Sequence, residues 1–151
     1  MIDRDTGALV LRAGRVEPST TRTAFRASPL AAPARWDDMH TGWMDAELPS
    51  EADGDRKIGV RLIFEGERLD GYRLWIVDPR YGTSWDDWSE EKELAHRDAH
   101  DAWLVEKLGP GERARAPGGM ELGYSLPWGD VWSTYDPRSG GSSIGVRFRR
   151  G

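Results

Sequence analysis

One stretch of this chain, residues 84–109, carries clear helix boundaries and constrains what the rest can become. Gly109 followed by Pro110 ends the stretch, because glycine adopts the left-handed cap conformation and proline cannot continue a helix. Two starts fit the sequence, at Ser84 or at Ser89, since serine caps helices and acidic residues follow each of them. The sequence therefore predicts one long helix that ends at Gly109.

One side of this predicted helix is apolar. Ala95, Ala99 and Ala102 recur at spacings of four and three, and Trp103 follows them as the large anchor. A stripe of this kind predicts a helix that lies on another layer of the protein rather than standing free in solvent.

Two β-hairpins are predicted from apolar residues that alternate with a period of two. Residues 58–64 and 69–77 flank a short turn that contains Gly66, and residues 131–135 and 143–148 flank a second turn. The strand at 69–77 carries large apolar groups on both faces, which predicts a central position in a sheet.

The remaining segments are shorter or irregular. Residues 8–11 and 43–48 are predicted as strands, and residues 21–27 as a short helix with Phe25 turned inward. Residues 109–123 are rich in glycine, proline and charge, so we predict a loop there, the least ordered part of the chain.

These elements define the predicted fold class. No internal repeat or linker divides residues 1–151, so a single α+β domain is expected. It consists of an antiparallel sheet of about five to six strands packed on one long helix, plus a short N-terminal helix.

The composition indicates in which cellular compartment the protein resides. The chain has no cysteine, which rules out disulfides and thiolate chemistry and fits a cytoplasmic protein. No apolar run reaches the roughly 18 residues of a transmembrane helix, and residues 1–15 lack the apolar core of a signal peptide. We therefore expect a cytoplasmic location and no membrane partner.

The net charge and its distribution along the chain indicate which classes of partner the protein could bind. The net charge is −5, and the middle of the chain is acidic while both ends are mildly basic. Nucleic-acid binding needs a dense basic surface, so no nucleic-acid partner is predicted. An acidic helix suits a partner with a basic surface, although charge runs are most often simply solvated helix faces.

Tryptophan is unusually frequent, with eight residues in the chain. Trp75 and Trp103 are predicted to fill the core. Trp85, Trp88 and Trp128 lie near turns and acidic residues, so the core and a contact surface are equally good interpretations for them. Exposed tryptophan is typical of binding hot spots and can also stack on sugars.

Glu93, His96 and His100 form the one constellation that could hold a metal ion, since spacings of three and four place them on one helix face. Arg97, however, stands beside His96, where a zinc-hydrolase helix needs its catalytic glutamate, and His40 is distant in sequence. A metal site therefore remains an alternative.

No other catalytic motif is present. The chain has no glycine-rich phosphate loop, and its one G-x-S-x-G spacing, at 141–145, falls in the second predicted hairpin and not in the strand-to-helix turn of a nucleophile elbow. The acidic pairs at 37–38 and 86–87 do not form dyads, because adjacent side chains point apart. The sequence therefore predicts no catalytic residue and no cofactor.

Three separated segments carry a resemblance. TRTAFRASPL at 21–30, HDAWLVEKLG at 100–109 and PWGDVWSTYDPRSGGSSIGVRF at 127–148 match a pattern of three signatures. These are a TR-x-x-F-x-x-S start, a D-x-WL helix and a WG-x-V-x-S-x-YDPRSG hairpin. The pattern resembles small bacterial proteins of the immunity type, encoded near polymorphic toxins. The resemblance implies a protein partner and transfers no functional residue.

The predicted function is a non-catalytic, immunity- or antidote-like protein that caps a basic protein partner with an acidic, tryptophan-bearing face. The predicted binding residues lie at the helix start: Trp85, Asp86, Asp87, Trp88, Glu90 and Glu91. One alternative is a small metal-dependent hydrolase that uses Glu93, His96 and His100. The other is a carbohydrate- or peptide-binding module that uses exposed tryptophan.

Overall fold

The computed structural model describes residues 1–150, in which β-strands are the dominant element. The strands are β1 Leu9–Leu11, β2 Gly14–Val16, β3 Arg35–Asp38, β4 Trp43–Asp53, β5 Arg56–Glu65, β6 Arg68–Ile76, β7 Glu112–Ala116, β8 Gly119–Leu126, β9 Gly129–Asp136 and β10 Gly141–Phe148. The helices are α1 Arg22–Arg26 and α2 Glu90–Leu108, and 3₁₀ turns lie at Pro79–Tyr81 and Trp85–Asp87.

Strands β3 to β10 form one antiparallel sheet in the order β3-β4-β5-β6-β10-β9-β8-β7. Two four-stranded meanders, β3–β6 and β7–β10, therefore join where β10 pairs with β6. The helix α2 connects the two meanders in sequence and lies across β6, β9 and β10 near that junction. Strands β1 and β2 form a separate two-stranded ribbon.

The predicted fold class is therefore wrong. An α+β domain with five to six strands was expected, whereas the described residues are mostly β, with an eight-stranded sheet and a two-stranded sheet beside one long helix. Much of the difference lies in residues 109–123, where strands β7 and β8 replace the predicted loop.

The number of strands was underestimated because β7 and β8 lack an obvious alternating apolar pattern. Strand β7 is the outermost strand on one side, and charged side chains dominate it, as is common where an edge must avoid pairing with other chains. Arg113 of β7 forms an ion pair with Asp101 of α2 at 2.6 Å, which holds this edge strand against the helix. In β8, Leu122 and Tyr124 alternate toward the core, but the surrounding glycines hid that pattern.

One face of the large sheet is covered. Trp103 and Leu104 of α2 are fully buried against it, and the indole N–H of Trp103 donates to Asp53 at 2.7 Å. Beside α2, the N-terminal segment covers more of the same face, since the Tyr72 hydroxyl donates to the carbonyl of Gly7 at 3.0 Å. The predicted core position of Trp103 is confirmed.

The helix α1 covers the end of that face near β3. Thr21 caps it by accepting a hydrogen bond from the Ala24 N–H. Phe25 is 1 % exposed and packs against Trp36 and Phe64, with ring centroids 5.7 and 5.9 Å away. The aromatic cluster thus fixes the N-terminal segment to the sheet.

The opposite face of the sheet carries no helix in the described part of the chain, and we call it the open face. The core prediction for Trp75 is wrong, because this side chain lies on the open face, partly exposed and flat over Gly59. Large apolar groups on both faces of β6 did indicate a central strand, as observed, but not burial on both faces. No helix within residues 1–150 is both long and apolar enough to cross a membrane.

Candidate functional site

The six predicted binding residues lie together where the chain enters α2. Ser84 caps the 3₁₀ turn Trp85–Asp87, and Ser89 then caps α2 by accepting from the Lys92 N–H at 3.1 Å. Both starts that the sequence allowed are therefore used, one for the turn and one for the helix. Trp88 lies between them with an extended backbone conformation.

Two indole rings define this surface. The centroids of Trp85 and Trp88 lie 5.9 Å apart with a 42° tilt. The Trp88 N–H donates to the carbonyl oxygen of Gly140 in the β9–β10 turn at 2.7 Å, which fixes that ring. Trp85 rests against the same turn yet keeps 73 % of its surface exposed. The result is a preorganised aromatic surface that borders a cavity of about 260 Å³.

Asp87 stabilises the turn that precedes α2. Its carboxylate accepts from the N–H groups of Ser84 and Thr83, each at 2.9 Å, and from the Thr83 hydroxyl. The Ser84 and Thr83 N–H groups hold the pKa of Asp87 at about 2, because they favour the charged form. Its contacts therefore support the local conformation more than they offer oxygens to a partner.

The other predicted acids are exposed to solvent, and of these Glu90 also accepts a hydrogen bond from the Tyr135 hydroxyl at 3.4 Å. Asp86, Glu90 and Glu91 are exposed, and none of them forms an ion pair within residues 1–150. The nearby ammonium group of Lys92 donates to the backbone carbonyl of Asp87 at 2.6 Å and does not pair with these acids. Together with Trp85 and Trp88 they form what we call the helix-start surface: Trp85, Asp86, Trp88, Glu90 and Glu91.

The three metal candidates are engaged with the sheet. His96 Nε2 lies 2.8 Å from the carbonyl oxygen of Ile76, and the Ile76 N–H donates to His100 Nε2 at 3.0 Å. Glu93 accepts from the Ser142 N–H at 2.8 Å. Two histidines thus bind both backbone groups at the end of β6.

This arrangement fixes the state of His100. Its Nε2 accepts a hydrogen bond, so the ring is neutral, and burial together with the nearby His96 lowers its pKa well below the usual value. No group of three His, Asp or Glu side chains within residues 1–150 is arranged to hold a metal ion.

The open face holds functional candidates that the sequence did not reveal. Register pairs define a straight row across all eight strands: Arg35, Glu47, Arg61, Arg73, Gly145, Trp132, Gly123 and Glu112. A groove of about 580 Å³ lies over the middle of this row and is lined by Arg61, Arg73 and Trp132. The available signal was a tryptophan among polar residues that alternate with the core residues of β9.

Comparisons of this chain with protein-family models, with curated proteins and with solved structures found no match. The geometry of the helix-start surface and of the open face therefore carries the functional argument.

Proposed function

We propose that this chain is a non-catalytic binding protein of the immunity or antidote type, which caps a partner with a basic surface. The helix-start surface makes the contact. One observation carries the proposal: Trp85 is 73 % exposed, beside an anchored Trp88, among carboxylates that have no ion-pair partner within residues 1–150.

Tryptophan fits the centre of such an interface. It supplies a large contact area with few rotatable bonds and leads the residue types at binding hot spots. The hydrogen bond from Trp88 to Gly140 and the contact of Trp85 with the same turn reduce the ordering cost on binding.

The carboxylates fit the rim of the interface. Asp86, Glu90 and Glu91 are exposed neighbours of the two tryptophans along the chain, which carries a net charge of −5. Rim charges of this kind speed association with an oppositely charged partner and select against acidic ones. Together they favour a basic protein as the occupant.

The resemblance noted in the sequence supports the same class. One of its signatures, YDPRSG at 135–140, forms the β9–β10 turn on which both indoles rest. The hydrolase alternative has no comparable support, because His96 and His100 bind the backbone of Ile76 and Glu93 binds Ser142.

Affinity capture tests the proposal. The tagged chain serves as bait in an extract of its source cells, beside Trp85→Ala and the triple variant Asp86→Asn, Glu90→Gln, Glu91→Gln. The matched control removes three exposed, unpaired acids elsewhere: Asp5→Asn, Asp55→Asn, Glu112→Gln.

We expect the wild type and the control to retain one basic protein that both test variants lose. Retention by all four baits, or capture only of acidic proteins, would contradict the proposal.

A further inference from the structure

We propose that the groove on the open face is a binding site for an acidic saccharide, a chain of pyranose rings that carries a carboxylate. The groove shares Ser139 and Gly141 at the β9–β10 turn with the cavity beside the helix-start surface, but no residue of the helix-start surface lines it, and the proposal does not depend on the function proposed above.

Arg73 supplies a free positive charge at this site. It lies directly opposite Arg61 in the β5–β6 pair, and like charges in opposite positions disfavour the folded sheet. Arg61 is compensated by Glu47 at 2.9 Å and by Asp45 at 3.9 Å. Arg73 forms no ion pair with any residue in 1–150 and is exposed on the groove wall. An anionic group of a ligand would provide the missing partner.

Trp132 supplies a stacking surface beside that charge. Its ring lies flat on the backbone of Gly145, since a Cβ atom at Gly145 would stand only 2.3 Å from ring atoms. Trp132 lines the groove, and the Arg73 guanidinium lies over its ring as a cation–π contact, with the guanidinium carbon 5.9 Å from the ring centroid, so that a bound ligand would meet the ring and the charge together. A ring held in this way can stack on the flat apolar face of a pyranose at little entropic cost.

Hydroxyl and carboxylate groups complete the lining. Thr134 and Ser143 are directly opposite each other in the β9–β10 pair, and both line the groove. Glu121 lines it as well and has no ion-pair partner in the described chain. Donors and acceptors are thus mixed around an aromatic ring, as the many hydroxyls of a sugar require.

The same charges argue against a nucleic acid. The groove is lined by three arginines, but Arg61 and Arg138 pair with carboxylates, and Glu121 and Asp136 also line it. A strand with a phosphate at every residue would therefore find one unpaired arginine on a chain of net charge −5. A saccharide with one carboxylate per repeat fits a single free arginine beside acceptor groups. The volume of about 580 Å³ lies within the range of sites for small ligands.

Titration calorimetry with purified chain tests this assignment. The probes are oligogalacturonate and hyaluronan fragments, with neutral cello-oligosaccharide and a short oligothymidylate as comparisons. We expect binding of at least one acidic saccharide, and binding at least about tenfold weaker for the neutral saccharide and the oligonucleotide.

Two substitutions locate the site. Trp132→Ala should weaken the acidic saccharide about tenfold or more, because stacking on an aromatic ring is lost. Arg73→Gln, on an exposed side chain that leaves the core intact, should weaken the acidic saccharide and leave any neutral binding unchanged. The triple variant of the helix-start surface is the control and should bind the saccharide as tightly as the wild type.

Several results would overturn the assignment. These are no saccharide binding at millimolar concentration, equal affinity for neutral and acidic saccharides, tighter binding of the oligonucleotide, or unchanged affinity in Arg73→Gln. Loss of binding only in the helix-start variant would also overturn the assignment, because the saccharide would then bind at the helix-start surface. Failure of the protein-capture experiment leaves these outcomes unaffected, so the two proposals are distinguishable.

Discussion

The indole N–H of Trp88 donates a hydrogen bond to the carbonyl oxygen of Gly140 at 2.7 Å. This bond ties the segment before α2 to the β9–β10 turn, 52 residues away in sequence. The exposed ring of Trp85 rests on the same turn, so the geometry of the helix-start surface depends on a contact between the segment that connects the two meanders and the second meander.

Replacing Trp88 with phenylalanine tests that contact. The variant keeps a ring but leaves the Gly140 carbonyl without its donor, so the free energy of unfolding should fall by about 1 kcal/mol. Urea denaturation measures the change. Trp85→Ala is the control, because this exposed side chain should alter the free energy of unfolding by no more than about 0.5 kcal/mol. Equal losses in both variants would show that the hydrogen bond is not the stabilising element.

His100 predicts a specific pH dependence. Its pKa is lowered in the folded chain, whereas the unfolded chain binds a proton near the usual value of 6.5. The free energy of unfolding should therefore be level above pH 6.5 and decline as the pH falls below it toward the folded-state pKa. Denaturation between about pH 8 and pH 5 measures this slope, above the range in which most carboxylates titrate.

The variant His100→Leu provides the comparison. It leaves the Ile76 N–H without an acceptor, which should cost about 1–3 kcal/mol at neutral pH. The variant should also lose part of the decline below pH 6.5, because the titrating group is gone. An identical slope in the wild type and the variant would rule out His100 as its source.

Asp87 should stay charged in acid. The Ser84 and Thr83 N–H groups hold its pKa at about 2, compared with 3.8 in the unfolded chain. The resulting stabilisation is present above pH 3.8 and is lost as the pH falls toward 2. An NMR titration of the Asp87 carboxyl carbon measures the pKa directly. A midpoint at or above 3.8 would contradict the hydrogen-bonded turn.

Two glycines flank Trp132, and replacing them with alanine should have costs of different size. Gly145 and Gly123 are both directly opposite Trp132, in the strands on either side. A Cβ at Gly145 would meet the ring at 2.3 Å, whereas a Cβ at Gly123 would meet nothing closer than 3.9 Å. Gly145→Ala should therefore cost about 1–3 kcal/mol in denaturation, and Gly123→Ala less than about 0.5 kcal/mol. Equal costs would show that Trp132 does not lie on Gly145.

Local signals predicted the ends of α2 and two strands of the sheet but not the buried face of α2, because Ala95 and Ala102 of the predicted apolar stripe are exposed. Ser89 and Gly109 bound α2 as their chemistry indicates, and the alternation at 58–64 and 143–148 lies within β5 and β10. The charged edge strand β7 was missed because periodicity reports burial, and an edge strand can be a strand without burying an alternating set of residues.

The sequence did not predict which distant segments of the chain contact each other. His96 and His100 look like metal ligands on a helix, and only the position of Ile76 shows that they bind the end of a strand. The row through Arg73, Gly145 and Trp132 likewise depends on β10 lying beside β6, which no local pattern specifies. The helix-start surface was proposed from sequence because its residues are neighbours along the chain.

The most direct measurement is the affinity of the purified chain for the captured basic partner, compared between the wild type and Trp85→Ala. An interface centred on this exposed indole predicts a Kd at least about tenfold higher for the variant, which corresponds to a loss of about 1.4 kcal/mol or more. The triple acid variant should also bind more slowly, with a weaker dependence on salt. A Kd within about twofold of the wild type for both variants would contradict the helix-start surface as the binding site.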